Sequence, residues 1–267
     1  MKDILSDIIA DKRLEIASRM KEMPVEQLRE LALAAPCSRR SMSRALASSG
    51  SGIIAEFKRK SPSRGWIHED AAPLDVIPGY SAAGASAISI LTDGKYFGGE
   101  LEYIRQVRDV IDVPILRKDF IISEYQLLQA RLYGADAVLL IAACLGREEC
   151  SGLVRKAHEL GLEVLLEVHS EEELAYVGED VDLVGINNRN LGTFVTDVRN
   201  SFRLAEALKA AAGRCSRMPV LVSESGISDP STVRELRDAG FRGFLMGENF
   251  MKSDKPAEAL AEFIASL

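Results

Sequence analysis

Ile53 to Gly65 reads IIAEFKRKSPSRG. A short, almost wholly apolar run, rich in β-branched residues, gives way to a basic, serine-containing loop. Runs of this kind suit strands covered on both faces, as in a parallel sheet flanked by helices. An open doubly wound sheet normally places a glycine fingerprint, G-x-G-x-x-G, directly after its first strand, and Lys58 to Gly65 carries none. The stretch therefore reads as the first strand of a (β/α)8 barrel, with the open sheet as its structural rival.

The same rhythm continues through the chain. After IIAEF come AISIL (Ala87 to Leu91), VPILR (Val113 to Arg117), AVLLI (Ala137 to Ile141), EVLLE (Glu163 to Glu167), LVGIN (Leu183 to Asn187), PVLVS (Pro219 to Ser223) and GFLMG (Gly243 to Gly247). That makes eight runs, with starts on average about 27 residues apart, close to the βα repeat of a barrel of roughly 250 residues. Between them lie stretches of helical period, such as EYQLLQARLYG and STVRELRDAG, each ending in the glycine that a left-handed helix terminus favours. The fold class is α/β, a (β/α)8 TIM barrel over residues 49–267. Residues 1–48 form a helical N-terminal extension packed on the barrel. Ile4, Leu5, Ile8 and Ile9 are spaced for one helix face, Leu28, Leu31 and Leu33 belong to a second helical stretch, and the serine-rich SMSRALASSGSG joins the extension to the barrel.

Composition narrows the function. The 267 residues are 47% hydrophobic and 27% charged, with 33 Lys plus Arg against 40 Asp plus Glu and a net charge of -7. This is an ordinary globular balance, with no basic face for nucleic acid, so any anion site is local. The four cysteines form no C-x-x-C pair and the three histidines no H-E-x-x-H, so neither a disulfide framework nor a metal site is expected, and a cytoplasmic location is the default. No uninterrupted apolar segment suggests a signal peptide or a membrane span.

In a barrel, chemistry sits where the strands hand over to the loops that follow them. Polar residues crowd those points: Glu56 and Lys58, Lys118, Glu167, Asn187 and Arg189, then Glu224 and Ser225. Glu56 and Lys58 are two apart, so both can face the barrel mouth. Solvation explains one charge at a strand end more easily than it explains charges of both signs converging from several strands. A second group suits an anion: Ser61 in the basic loop, Ser225 and Gly226 after the seventh run, and Gly247 and Glu248 after the eighth, where barrels often bind phosphate through backbone amides.

IAEFKRKSPSRG, ILRKDFI, LLEVH, GINNRNL, SESGI and FLMGENFM, in this order on successive strand ends, closely resemble the indole-3-glycerol phosphate synthase family. The resemblance spans nearly the whole chain, helical extension included. It implies ring closure, decarboxylation and dehydration of 1-(2-carboxyphenylamino)-1-deoxyribulose 5-phosphate in tryptophan biosynthesis, with no metal or organic cofactor. It also implies a small phosphorylated substrate and no obligatory protein, nucleic-acid or membrane partner. Carried over by motif, Lys118 is the general acid of ring closure and Glu167 the acid/base partner in dehydration. Lys58 lies beside the substrate carboxylate. Glu56 and Glu224 orient the lysines and touch substrate hydroxyl or amino groups, while Asn187 and Arg189 fix the hydroxyl and carboxylate region. Phosphate falls to Ser61, Ser225, Gly226, Gly247 and the backbone of Glu248. Some family members carry Ser where this chain has Glu248, whose carboxylate is expected to point away from the phosphate. Lys58, Arg59, Lys60, Lys118 and Arg189 are expected to gather at one rim. Two alternatives remain at this stage: another phosphate-binding barrel such as phosphoribosylanthranilate isomerase, and a metabolite-binding barrel without catalysis.

Overall fold

In the computed structural model, residues 4–37, 40–178, 180–190, 192 and 195–267 are described. Eight parallel strands close into a barrel: β1 (Ile53–Phe57), β2 (Ala87–Leu91), β3 (Ile115–Lys118), β4 (Ala137–Ile141), β5 (Glu163–Val168), β6 (Leu183–Asn187), β7 (Val220–Glu224) and β8 (Gly243–Met246). Each pairs with its neighbours in sequence, and β8 returns to β1. Helices or helical turns on the outside connect them. All eight apolar runs are strands, with ends shifted by a residue or two. β3 begins at Ile115, beyond Pro114, whose missing N–H unsuits it to a central strand.

Two apolar layers follow from the strand alternation. Ile54, Leu116, Leu139, Leu165, Val222 and Leu245 turn inward and fill the barrel. Their neighbours Ile53, Ile115, Val138, Leu166, Leu221 and Phe244 turn outward beneath the surrounding helices. Burial on both faces explains why the runs are apolar at every position, not only at alternate ones.

The extension reaches three different parts of the barrel. α1 (Ile4–Glu22) lies across the C-terminal mouth, where Ile8 and Ile9 join the inner apolar cluster beside Phe120. Its Lys12 is 2% exposed and lies 2.8 Å from Asp93 and 3.0 Å from Asp119, on the loops after β2 and β3. α2 (Val25–Ala34) packs on the flank against the helix Glu124–Tyr133, whose Arg131 donates to the carbonyls of Ala35 (2.7 Å) and Pro36 (2.5 Å). Leu28 and Ala32 are its buried residues, whereas Leu31 and Leu33 are exposed. The sequence also missed α3 (Met42–Ser48) inside the serine-rich segment. Ser41 caps it by accepting from the Arg44 N–H (3.2 Å), and Met42 and Leu46 plug the N-terminal floor of the barrel. Glu163, at the start of β5, fastens it by accepting from Ser41 and Ser43 hydroxyls at 2.6 and 2.8 Å.

Candidate active site

Alternation with a period of two decides which strand-end side chains enter the mouth. Cross-strand partners fix the level: Ile141 faces Glu167, Glu167 faces Gly185, and Asn187 faces Glu224. A cavity of about 360 Å³ opens at this end. Glu56, Lys58, Ser61, Lys118, Glu167, Asn187, Arg189, Ser225, Gly226, Gly247 and Glu248 all line it, together with Ile4, Leu5 and Ile8 of α1.

Lys118 is the hub. Its Nζ lies 3.3 Å from Glu167 Oε2 and 3.2 Å from Glu224 Oε2. On the β1 side, Lys58 Nζ donates to Glu56 Oε1 at 2.5 Å. Burial alone would lower the pKa of Lys118, but Glu224, Glu167 and Glu56 outweigh it and hold the ammonium well above its usual range. Glu167 is opposed by burial yet kept well below the usual carboxylate range by Lys118 and then His169. Glu56 is likewise lowered, against burial, by Lys58 and Lys118. Glu224 goes the other way: burial and the neighbouring Glu167 charge outweigh Lys118 and push it up to about 8. Of the two glutamates on Lys118, Glu167 is thus driven toward its ionised form and Glu224 toward its protonated form.

Glu224 departs from the sequence reading in one respect. It is 0% exposed and does not border the cavity, so it touches Lys118 and not the space a substrate would occupy. It fits because its neighbour Gly185 has no side chain: a Cβ there would overlap Glu224 Oε1. Gly247 is constrained the same way, since a Cβ there would stand 2.9 Å from Glu56 Cβ. Ser225 and Gly226 are consecutive residues with positive φ, 69° and 78°, a backbone turn that concentrates amides at the wall.

One expectation about charge changes. Arg59 and Lys60 do not face the cavity. Arg59 donates to Tyr103 Oη (2.6 Å) and the Glu69 carbonyl, and both cations stack on Trp66, 5.4 Å from its ring. The aromatic ring of the hairpin after β1 draws them aside. Arg64 and Lys252 line the cavity instead. Glu248, expected to point away from the phosphate, is engaged at the rim: its Oε1 lies 3.2 Å from Arg64 Nε and its Oε2 3.5 Å from Arg189 Nη2. Two guanidinium groups at the rim hold it. Arg189 also donates to Ser63 Oγ at 2.6 Å, tying the loops after β6 and β1 together.

A sequence model of the family described as indole-3-glycerol phosphate synthase matches residues 5–263. The chain belongs to that family. A relative of that description from Bacteroides thetaiotaomicron is 61% identical over 267 residues, covering 100% of both chains. One from Polaromonas naphthalenivorans is 41% identical, covering 98% of each, and one from Salinibacter ruber is 42% identical, covering 98% of this chain and 95% of its own. Among solved structures, a 3-hexulose-6-phosphate synthase superposes with a TM-score of 0.59 at 16% identity, covering 81% of this chain and 99% of its own. A tryptophan synthase α subunit from Legionella pneumophila gives 0.59 at 16% identity, over 86% and 97%. At such identities these two structures speak for the barrel alone.

Within this indole-3-glycerol phosphate synthase family member, the sequence reading passed over three side chains near the mouth. His169 follows Glu167 by two residues, just past the end of β5, and so falls on the same side of the chain, a signal present in LLEVH. Asp119 and Lys12 meet only through folding, because their segments are far apart in sequence.

Proposed function

We propose that this chain carries out the indole-3-glycerol phosphate synthase reaction through the charged set at its barrel mouth. The substrate is a phosphorylated amino-ketose bearing an anthranilate ring, and the products are indole-3-glycerol phosphate, carbon dioxide and water. Ring closure joins an aromatic carbon to the ketone carbon, and negative charge grows on the carbonyl oxygen. An ammonium held charged by surrounding carboxylates is suited to stabilise that charge and donate a proton, and Lys118 is so placed. The carboxylate then leaves as carbon dioxide, which restores the electron pair to the ring. Loss of the hydroxyl as water, with loss of the anilino proton, needs an acid and a base together.

The residue that takes the anilino proton in this reading is Glu167, which is ionised and lines the cavity. Lys58, aligned by Glu56, meets the substrate carboxylate and serves as the second acid. Asn187 and Arg189 hold the hydroxyl and carboxylate region. Glu224 acts through Lys118 rather than on substrate. Phosphate rests on Ser61, the Ser225–Gly226 turn and the backbone at Gly247 and Glu248, with Arg64 and Lys252 supplying countercharge. Residues 1–48 and 49–267 work as one unit, the extension forming part of the cavity wall through Ile4, Leu5 and Ile8. Among the described residues no helix is long and apolar enough to cross a membrane, and a cytoplasmic setting completes the proposal.

The observation that carries the reading is Lys118 bracketed by Glu167 and Glu224 at the bottom of a cavity that Lys58 and Arg189 also border. The test is direct: add the carboxyphenylamino-deoxyribulose phosphate without metal and follow indole fluorescence. A rise in fluorescence that saturates with substrate is expected. Folded protein at high concentration giving no signal would reject the assignment.

A further inference from the structure

Glu167 and Glu224 both bind Lys118, yet their second oxygens meet different surroundings. Glu167 Oε1 lies 3.3 Å from His169 Nε2, an ion-pair contact off the line of a hydrogen bond. Glu224 Oε1 is buried with no hydrogen-bond partner, against the bare backbone of Gly185. The far side of His169 is also acidic: Nδ1 lies 3.3 Å from Glu173 Oε2, which accepts in addition from the His169 backbone N–H at 2.7 Å. Both ring nitrogens therefore face carboxylate oxygens. A neutral imidazole would present a lone pair to one of them, whereas an imidazolium turns an N–H and its positive charge to both.

We infer that His169 is a positioning residue: as an imidazolium on the far oxygen of Glu167, it keeps that carboxylate ionised and turned to Lys118, and so assigns the exchangeable proton of the buried pair to Glu224. The inference rests on the function proposed above, in which Glu167 is the base and Glu224 lies off the cavity. It separates two glutamates at equivalent strand ends by the groups behind them, and it gives a role to a side chain that does not border the active-site cavity. His169 instead borders an adjoining cavity whose charged groups are Glu173, Arg189, Asp197 and Arg203. Asn200 from the helix Arg199–Ala212 donates to the His169 carbonyl at 3.2 Å and fixes the backbone there. Of the groups facing the imidazole, Glu167 and Glu173 are in contact and acidic, while Lys118, Arg189 and Arg203 are the opposing cations of the two cavities. Burial lowers the imidazole pKa, but the two carboxylates overcome it and raise it to about 10.

Two variants and two readouts test this. In the native protein, nitrogen NMR of the histidine ring is expected to show His169 doubly protonated through neutral pH. That measurement needs no turnover, so it stands even if the substrate assignment fails. In H169Q, which keeps a donor but no charge, the acid limb of kcat is expected to move upward by about one pH unit or more, a roughly tenfold loss of turnover at the acid end, with little change in KM. E173Q keeps the imidazole and removes its outer carboxylate, so by the same NMR signal the ring is expected to lose its second proton at a lower pH than in the native protein; this variant serves if H169Q does not fold, and an unmoved ring titration in it would overturn the inference. A singly protonated His169 at neutral pH would overturn the inference. So would an H169Q pH profile that superposes on the native one while turnover falls evenly, the mark of a merely structural role.

Discussion

Replacing Lys118 with Met keeps much of the aliphatic stem and deletes the ammonium that two buried carboxylates share. Glu167 and Glu224 are 2% and 1% exposed in their side chains, so neither regains water. In the native protein Glu167 is ionised because Lys118, against burial, holds it low, and Glu224 already carries a proton near neutrality. Without Lys118, the larger of the two opposing cations is gone and burial prevails at Glu167 over the remaining His169 contact, so the folded variant binds one proton that the unfolded chain, with a glutamate near 4.5, does not. A folded pKa raised above the unfolded value gives stability that is complete below the unfolded pKa and is lost as pH rises toward the folded one. The loss runs at about 1.4 kcal/mol per pH unit, hence about 3 kcal/mol by pH 7. At roughly 2–4 °C per kcal/mol, K118M should melt about 6–12 °C below the native protein near pH 7 and within a few degrees of it near pH 5. Turnover should fall by roughly 10²- to 10⁴-fold, as for loss of a general acid. Thermal denaturation of both proteins across this pH range, followed by circular dichroism, measures the gap. A gap that does not change with pH would refute the reasoning.

Other perturbations follow from the same contacts. K12M leaves Asp93 and Asp119 buried without their shared cation; since Asp119 keeps Arg117 at 2.9 Å, a loss of about 3 kcal/mol is expected by urea unfolding, at the low end for a broken buried pair. An unchanged midpoint would show that the Lys12 contacts are not stabilising. G247A puts a methyl against Glu56 Cβ, so overpacking should cost about 1–3 kcal/mol of stability and loosen the Glu56–Lys58 pair, lowering kcat/KM; wild-type values of both would contradict the close approach. His158 is raised above its usual 6.5 by its hydrogen bond to Asp182, in spite of partial burial. It should add stability below about pH 6.5 that fades as pH rises through its folded pKa, by well under about 1 kcal/mol because the His158 side chain is 36% exposed. The melting difference between native protein and H158Q should therefore shrink with rising pH, and growth instead would reverse the sign of the argument.

The eight strands were legible because parallel strands between two apolar layers have to be apolar at every position. Their polar final residues stood out against that background, so Glu56, Lys58, Lys118, Glu167, Asn187 and Glu224 could be named from sequence. What escaped had no local signature. α3 hides among serines because its stability comes from Met42 and Leu46 plugging the barrel floor, not from helix propensity. The basic loop after β1 reads as one anion site, yet Trp66 takes Arg59 and Lys60 by stacking. Lys12 reads as one more surface charge on an amphipathic helix until folding brings Asp93 and Asp119 against it.

The non-equivalence of Glu167 and Glu224 belongs to the same class. In sequence both are glutamates closing an apolar run, and both reach the same ammonium at 3.3 and 3.2 Å, so neither residue type nor distance to Lys118 separates them. The difference arises in what stands behind each carboxylate, where the loop just after β5 supplies His169 for one and β6 supplies Gly185 for the other. A cation favours the ionised form and a bare backbone wall in a dry interior favours the neutral one, so the proton settles on Glu224. A base needs to be ionised and within reach of substrate, and Glu167 alone of the two meets both conditions. Exchanging the two environments, with a small neutral residue at 169 and a donor beside Glu224, should therefore weaken catalysis even with both glutamates and Lys118 intact.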